Sequence, residues 1–175
     1  YVRRNQCKLS LVLGGHKWKI VTMFQVSPVA TIKNKRSRPE DDNWSNFPSV
    51  IELLGHVSSE TILGLDAFSH IEVIFLFHLV SEDTIVLTAE HPRENPDWPR
   101  VGIFAQRKKS RPNRIGSTIC RIEQVAERSI SVRGLDAIDQ TPVLDIKPVM
   151  KEFLPDRNTQ IKQPSWSTEL MLDYW

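Results

Sequence analysis

The stretch IEVIFLFHLV, residues 71–80, decides the fold class. Alternate residues of an extended strand share a face. One face of this stretch is wholly apolar and consists of Ile71, Val73, Phe75, Phe77 and Leu79. The other face adds Ile74, Leu76 and Val80 to Glu72 and His78. Because both faces are largely apolar, the pattern predicts a central strand of a sheet.

Shorter strand-like segments surround this stretch, and turn residues separate them. They cover residues 24–32, 101–105, 117–124, 129–132 and 143–146. Strands at this spacing, without alternating helical segments, predict a mainly β protein with an antiparallel or mixed barrel. We therefore expect a small single-domain β-barrel with long loops that is not Rossmann-like. Trp166, Leu170 and Tyr174 recur every four residues, which predicts a short C-terminal helix.

The composition suits a folded protein of one domain. The 175 residues are 40% hydrophobic and 25% charged, which excludes wholesale disorder. We divide the chain into an N-terminal extension at 1–22, a barrel domain at 23–150 and a C-terminal tail at 151–175 that carries the helix. A formal net charge of +2 neither demands nor excludes a nucleic-acid partner.

Residue spacing disfavours several other classes of protein. Cys7 and Cys120 have no CxxC spacing and the five histidines have no metal-ligand spacing, so we expect no metal and a reducing, cytoplasmic location. The longest apolar stretch has ten residues, too few for a spanning helix, so we expect no membrane partner. The glycines lack the spacing of phosphate-binding motifs, which disfavours a doubly wound nucleotide-binding fold.

A basic stretch, FAQRKKSRPNRIG at residues 104–116, holds five cations between Arg107 and Arg114. Arg111 precedes a proline and is biased to an extended backbone, and Asn113 is a typical turn residue. The stretch is either a solvated hairpin loop or a turn that presents guanidinium groups to phosphate or carboxylate groups. Charge alone leaves both interpretations open.

A second stretch, GLDAIDQTPVLDIKP at residues 134–148, combines a turn with a strand. Strand periodicity places Val143, Asp145 and Lys147 on one face. Asp145 and Lys147 then form either a structural ion pair at the end of the barrel or one wall of a cleft. In the second case, the backbone groups of the turn contact a small ligand.

Three motifs, in order along the chain, carry a resemblance to a known family. They are GLDAFSH at 64–70, FAxRxxxRPNxIG at 104–116 and DxTPVLDIKP at 139–148. Together they resemble the TsaA-like family of S-adenosylmethionine-dependent tRNA methyltransferases. The resemblance implies a small β-barrel, unlike the usual Rossmann-like methyltransferase fold, with S-adenosylmethionine bound near a homodimer interface. It also implies N6-methylation of threonylcarbamoyladenosine next to the anticodon of certain tRNAs.

The resemblance also implies roles for residues of this chain. Cofactor binding is implied for His78, Leu79, Phe104, Arg107, Asp139, Gln140, Thr141, Pro142 and Val143. Contact with RNA or another substrate is implied for Arg111, Asn113, Arg114 and Lys147. We interpret Asp139 or Asp145 as the proton acceptor, because the ureido nitrogen that attacks the methyl group must lose its proton.

Six motif positions depart from the family pattern. Gln106 replaces a threonine, Lys108 a serine, Lys109 and Arg114 prolines, Gln140 a glycine and Val149 a tyrosine. These departures leave two alternatives open: a non-catalytic barrel that binds S-adenosylmethionine or RNA, and a methyltransferase for a different RNA or a small molecule. We also expect a homodimer, because a barrel of this size is not expected to bury the aromatic-rich C-terminal segment alone.

Overall fold

The computed structural model describes residues 24–175, and the predicted extension at 1–22 lies outside this range. The described residues contain eight β-strands and one α-helix. The strands are β1 (Ala30–Lys33), β2 (Pro48–Leu53), β3 (His70–Leu76), β4 (Ala89–Glu90), β5 (Val101–Gly102), β6 (Ile115–Val125), β7 (Ser129–Arg133) and β8 (Pro142–Pro148). The helix, α1, is Ser165–Leu170. No helix of the described range is long and apolar enough to cross a membrane.

Six of the strands close a barrel in the order β1-β2-β7-β6-β3-β8. Every neighbouring pair is antiparallel. β4 and β5 form a separate two-stranded hairpin. The prediction of a mainly β barrel with a short C-terminal helix is confirmed.

Alternating residues of the strands fill the barrel interior. In β3, Ile71 and Val73 are fully buried and Phe75 is 1% exposed, whereas the residues between them are only partly buried. The other strands contribute Ala30, Ile32, Ile51, Leu53, Cys120, Ile130, Val132 and Val143 to the same core. Burying one such large apolar side chain contributes about 1.5–3 kcal/mol. This alternation selects the register, because a slip by one residue would turn the polar face inward.

The central strand is shorter than the sequence indicates. β3 ends at Leu76, and Val80 N–H donates to Phe77 O at 3.2 Å in a turn. Leu79, which the alternation placed on the same face as Ile71 and Val73, is 61% exposed. The apolar alternation continues past Leu76, but β6, the pairing partner, begins at Ile115 opposite Leu76. β3 therefore ends at Leu76 because β6 offers no residue to pair with beyond Ile115.

Other strand boundaries also differ from the expected ones. β1 begins only at Ala30, and β5 is followed by a single 3-10 turn, Ile103–Ala105, in place of a longer strand. β2 has no counterpart among the predicted strands. Its inward residues begin with Ser49, which is polar although it is only 1% exposed.

A bulge in β8 changes which of its residues share a face. The consecutive residues Ile74 and Phe75 of β3 pair with Asp145 and Val143, so Leu144 is an extra residue in β8. Val143 points into the core and is fully buried, whereas the side chain of Asp145 is 49% exposed. The prediction that Val143 shares a face with Asp145 and Lys147 is therefore wrong, because an extra residue reverses the alternation beyond it.

The strand directions bring three connections to one end of the barrel. These connections are residues 34–47, 77–114 and 134–141, and we call this end the loop end. Two of the three resemblance motifs, at 104–116 and 139–148, therefore begin at the loop end. The first motif, at 64–70, precedes β3 and lies at the opposite end.

Candidate functional site

A cavity of about 140 Å³ opens at the loop end. It is lined by Phe75, Phe77, Arg107, Arg111, Ile115, Gly116, Ser117 and Asp136. This set combines two guanidinium groups, one carboxylate and two aromatic rings. The cavity is smaller than the roughly 300–1,000 Å³ of a typical small-molecule site, so it can enclose only part of a ligand.

Backbone contacts hold the two arginines of the cavity. Arg107 Nη2 donates to the carbonyl of Ser117, and Arg111 Nη1 donates to the carbonyl of Gln106 at 3.1 Å. The Gln106 side chain is buried, and its amide donates to two carbonyls of the β4–β5 hairpin at 3.2 Å each. A guanidinium has five N–H donors, so one backbone contact leaves most of them for a ligand. The basic stretch is thus an ordered loop that presents guanidinium groups.

Gly116 allows the aromatic rings to pack directly against β6. A Cβ at this position would lie 2.5 Å from Phe75 Cε2 and 3.0 Å from Phe77 Cζ. Phe75 is 1% exposed and has no room to retreat. The close approach of rings and backbone therefore shapes one wall of the cavity.

Asp136 is the carboxylate of the cavity, and it was not among the predicted site residues. Thr118 Oγ1 donates to its Oδ1 and the Tyr174 hydroxyl donates to its Oδ2. Burial and the charge of Asp136 raise the pKa of Tyr174, which therefore remains a protonated donor. In the sequence, Asp136 lies within the stretch 134–148, and Tyr174 is the last residue of the four-residue repeat that predicts the C-terminal helix. Neither indicates that two residues so far apart in the chain are in contact.

The turn that precedes β8 is tied to the segment that follows β1. The N–H groups of Asp139 and Gln140 donate to the carbonyls of Arg36 and Ile32, each at 2.8 Å, and Thr141 N–H donates to Ile138 O at 3.3 Å. All three N–H groups predicted for ligand contact are therefore used within the protein. The Thr141 carbonyl also accepts from Ile32 N–H at 3.0 Å. Among the described residues, this leaves the carbonyl oxygens of Asp139 and Gln140 and the side chains of the turn for a ligand.

Arg36 supports this turn from a buried position. Its guanidinium lies 3.8 Å from the ring centroid of Trp44, and its Nη2 donates to Asp42 O at 2.6 Å. The side chain is only 5% exposed. A cation–π contact between Arg36 and Trp44 thus anchors the polar loop between β1 and β2. The sequence pattern around Trp44 does not indicate this contact.

Gln140 occupies a strained backbone position. Its φ is 64°, a left-handed conformation that glycine adopts without penalty. Its side chain accepts from Lys33 Nζ at 3.3 Å and donates to Asp139 Oδ2 at 2.9 Å. The hydrogen bond from Gln140 and, to a smaller extent, the contacts with Asn34 and Lys33 lower the pKa of Asp139. Asp139 is therefore ionised at neutral pH.

Thr141 and His78 meet at the loop end. Thr141 Oγ1 lies 3.4 Å from His78 Nδ1, and burial lowers the pKa of His78. The other residues predicted to bind the cofactor vary in exposure: Leu79 is 61% exposed, Phe104 is 79% exposed and Val143 is fully buried in the core. The side chain of Val143 is therefore directed away from any ligand at the surface.

Arg114 connects the basic loop to the turn at 77–80. Its Nη1 donates to Val80 O at 2.9 Å, and its carbonyl accepts from Phe77 N–H at 2.8 Å. Its φ of 54° is inaccessible to proline, whose ring fixes φ near −65°. The loop at this position therefore differs from one that contains the family's proline. Asn113, beside it, is exposed.

Asp145 and Lys147 lie away from the cavity lining. They form an ion pair on the outer face of β8, and Lys147 is 56% exposed. Asp145 raises the pKa of Lys147. The ion pair agrees with the first of the two interpretations of these residues, a structural contact on the barrel.

The described residues give separate findings on metal ligands and on thiol reactivity. Within residues 24–175, no group of three His, Cys, Asp or Glu side chains could hold a metal ion. Cys120 is buried, and desolvation and the charge of Asp136 raise its pKa to about 12. It is therefore a poor nucleophile at neutral pH.

The fold and this site define a class: small antiparallel barrels whose loops gather cationic and polar groups at one end. The model of the tRNA-methyltransferase O N-terminal domain family matches residues 29–154. The chain therefore belongs to this family.

Individual relatives agree with this assignment. The chain is 34% identical to the tRNA (adenine(37)-N6)-methyltransferase of Escherichia coli (strain K12), over 66% of this chain and 52% of that protein. It is 35% identical to a putative S-adenosylmethionine-dependent methyltransferase of Pseudomonas aeruginosa, over 70% of this chain and 55% of the relative. The crystal structure of TrmO from P. aeruginosa superposes with a TM-score of 0.64 at 26% identity, covering 80% of this chain and 61% of that one. The chain thus spans about half the length of these curated relatives.

Proposed function

We propose that this chain is an S-adenosylmethionine-dependent methyltransferase that N6-methylates threonylcarbamoyladenosine next to the tRNA anticodon. The family match over residues 29–154 carries this proposal. Support comes from the convergence of the two motif loops at the loop end, where Arg114 contacts Val80 and Thr141 lies beside His78.

The residues of the loop end suit such a cofactor. When bound, S-adenosylmethionine supplies a methyl group on a positively charged sulfur. Aromatic rings such as Phe77 attract cations of this kind, and the Asp136 carboxylate carries the opposite charge. We propose that Arg107, His78, Leu79, Phe104 and residues 139–142 hold the cofactor. Val143 is not included, because its side chain lies in the core. The turn contributes through its side chains and the carbonyls of Asp139 and Gln140, because its N–H groups at 139–141 and the Thr141 carbonyl are paired within the protein.

The basic loop is proposed to hold the nucleic acid. Arg111 and Arg114 lie on one ordered loop with the exposed Asn113, and guanidinium groups suit phosphate oxygens. Lys147 lies on the outer face of the barrel, where an RNA that extends beyond the cavity would meet it. Alanine at Arg111 is then expected to weaken RNA binding without a large change in melting temperature.

Asp139 is the preferred proton acceptor of the two carboxylates considered. It is ionised at neutral pH and lies beside Thr141 at the loop end. Asp145 is paired with Lys147 on the outer face. A carboxylate that accepts the proton must lie within hydrogen-bond reach of the attacking nitrogen, which favours Asp139.

The decisive experiment is incubation with radiolabelled S-adenosylmethionine and total cellular RNA, followed by nucleoside analysis. Label in methylated threonylcarbamoyladenosine supports the proposal. Label in another nucleoside or in a small molecule points to the alternative substrates. Cofactor binding without transfer points to a non-catalytic barrel, an alternative favoured by Gln140, which adds a side chain at a position where the family has glycine.

We also propose that the chain acts as a homodimer in the cytoplasm. The ring of Trp166 lies 6.5 Å from that of Trp98 in the β4–β5 connection of the same chain, whereas Trp175 is 51% exposed, so the C-terminal segment alone does not require a dimer. The outer face of β6 is a better candidate, because Ile115 and Ile119 are 41% and 46% exposed. Sedimentation at micromolar concentration tests this: twice the 20.2 kDa chain mass supports a dimer, and a monomer that binds cofactor contradicts it.

A further inference from the structure

The C-terminal segment, residues 165–175, lies outside the matched family domain but docks at the loop end. Asn43 N–H donates to Asp173 O at 2.8 Å, and Trp44 N–H donates to Tyr174 O at 2.9 Å. Trp98 Nε1 donates to Glu169 Oε2 at 2.9 Å. The segment is thus joined to the polar loop that follows β1 and to the long connection between β3 and β6.

This docking brings a functional group of the segment to the cavity. The Tyr174 hydroxyl donates to Asp136, the carboxylate of the cavity lining. The pKa of Tyr174 is raised by burial, so the hydroxyl stays a donor across the physiological pH range. With Thr118 on its other oxygen, Asp136 is held in one orientation. Each carboxylate oxygen has further lone-pair capacity for a ligand N–H group.

The lining of the cavity therefore carries charges of both signs. Arg107 and Arg111 provide guanidinium groups, and Asp136 provides a carboxylate. An α-amino-acid group has the complementary arrangement, because a carboxylate and a nitrogen are attached to the same carbon. The small volume suits this group and excludes a whole nucleoside.

We propose that this cavity binds an α-amino-acid group, with its carboxylate at Arg107 and Arg111 and its nitrogen at Asp136, and that Tyr174 completes the site by positioning Asp136. This inference rests on the proposed function, because that function supplies the two molecules that could carry the amino-acid group. One source is the methionine end of S-adenosylmethionine. The other is the threonine of the modified nucleoside, whose nitrogen is a urea N–H.

Isothermal titration with two related ligands tests whether the methionine end of S-adenosylmethionine occupies the cavity. S-adenosylhomocysteine carries the amino-acid end, and 5′-methylthioadenosine lacks it. Tyr174→Phe keeps the ring and removes the hydroxyl, and Arg111→Ala removes one guanidinium. If the methionine end occupies the cavity, both variants weaken S-adenosylhomocysteine binding about tenfold and leave methylthioadenosine binding unchanged. Arg100→Ala, an exposed arginine outside the cavity, is the matched control.

The second source is tested with tRNA that carries or lacks the threonylcarbamoyl group. If the threonine occupies the cavity, Tyr174→Phe raises the Kd for the modified tRNA alone and S-adenosylhomocysteine binding is unchanged. A selective loss with either source supports the proposal, since a merely structural role for Tyr174 would affect all ligands equally. Unchanged affinity for every amino-acid-bearing ligand in folded variants overturns it.

Failure of the proposed function is recognised separately. A wild-type chain that binds no nucleoside ligand and transfers no methyl group refutes that function. The cavity is then tested with L-methionine and N-carbamoyl-L-threonine by ligand-observed NMR. Binding that is lost in Tyr174→Phe supports the amino-acid site, and absence of binding overturns it.

Discussion

Gln140 Nε2 donates a 2.9 Å hydrogen bond to Asp139 Oδ2 while its own backbone has a left-handed φ of 64°. A stabilising side-chain contact thus accompanies an unfavourable backbone conformation. Glycine, the residue typical of the family at this position, would relieve the strain but lose the contact.

This balance predicts the order of two variants at position 140. Gln140→Ala loses the contacts with Asp139 and Lys33 and keeps the strain, whereas Gln140→Gly loses the same contacts and relieves it. The alanine variant should be less stable than the glycine variant by about 1 kcal/mol. Urea denaturation measures the difference. Equal stabilities would show that the turn relaxes to another conformation.

Asp139→Ala is expected to reduce cofactor affinity by about 1.5–3 kcal/mol, the usual value for a hydrogen bond to a charged group. Because Asp139 Oδ1 also accepts from Asn34 N–H at 3.1 Å, the variant should also lose some stability. Calorimetric titration below the melting temperature of the variant separates the two effects. Unchanged affinity in folded protein would place the cofactor elsewhere.

Arg114→Pro should be strongly destabilising, although proline is common in the family at this position. Proline cannot adopt the φ of 54°, and it removes the N–H that donates to Arg111 O at 2.9 Å. A loss of about 3 kcal/mol or more is expected from chemical denaturation. Arg114→Gly, which permits the backbone, controls for the lost side chain. If the proline variant matched the glycine variant, the loop would be free to change its conformation.

Gly116→Ala should disturb the cavity wall. The new methyl group would overlap the buried ring of Phe75, and overpacking of this kind costs about 1–3 kcal/mol. Gly55→Ala is a matched control, because a Cβ there has nothing within 4 Å. Thermal melts of both variants provide the comparison. A destabilisation no larger than that of the control would mean that the rings repack freely.

His78 should make stability depend on pH below neutrality. Burial lowers its pKa below 6.5, so the unfolded chain takes up a proton at a higher pH than the folded protein. The free energy of unfolding should therefore fall as pH decreases from about 6.5 through the folded pKa. His78→Gln should lose less stability between pH 7.5 and pH 5 than the wild type. The exposed His56→Gln is the control, and parallel profiles for wild type and His78→Gln would contradict the assignment.

The sequence by itself determined the fold class and the main strand with its alternation of side chains. The alternation at Ile71, Val73 and Phe75 is local, because the backbone sends successive side chains to opposite faces whatever the partner strand is. The four-residue repeat at Trp166 and Leu170 likewise predicted α1. The motifs also identified the two loops that meet at the loop end.

Only the tertiary structure decided where strands end and which distant residues meet. The end of β3 depends on the start of β6, and the extra residue Leu144 is visible only against the pairing of β3. The contact between Asp136 and Tyr174 joins residues 38 positions apart through the docking of a segment outside the family domain. Strand pairing and docking are non-local, so the periodicity of one segment contains no information about them.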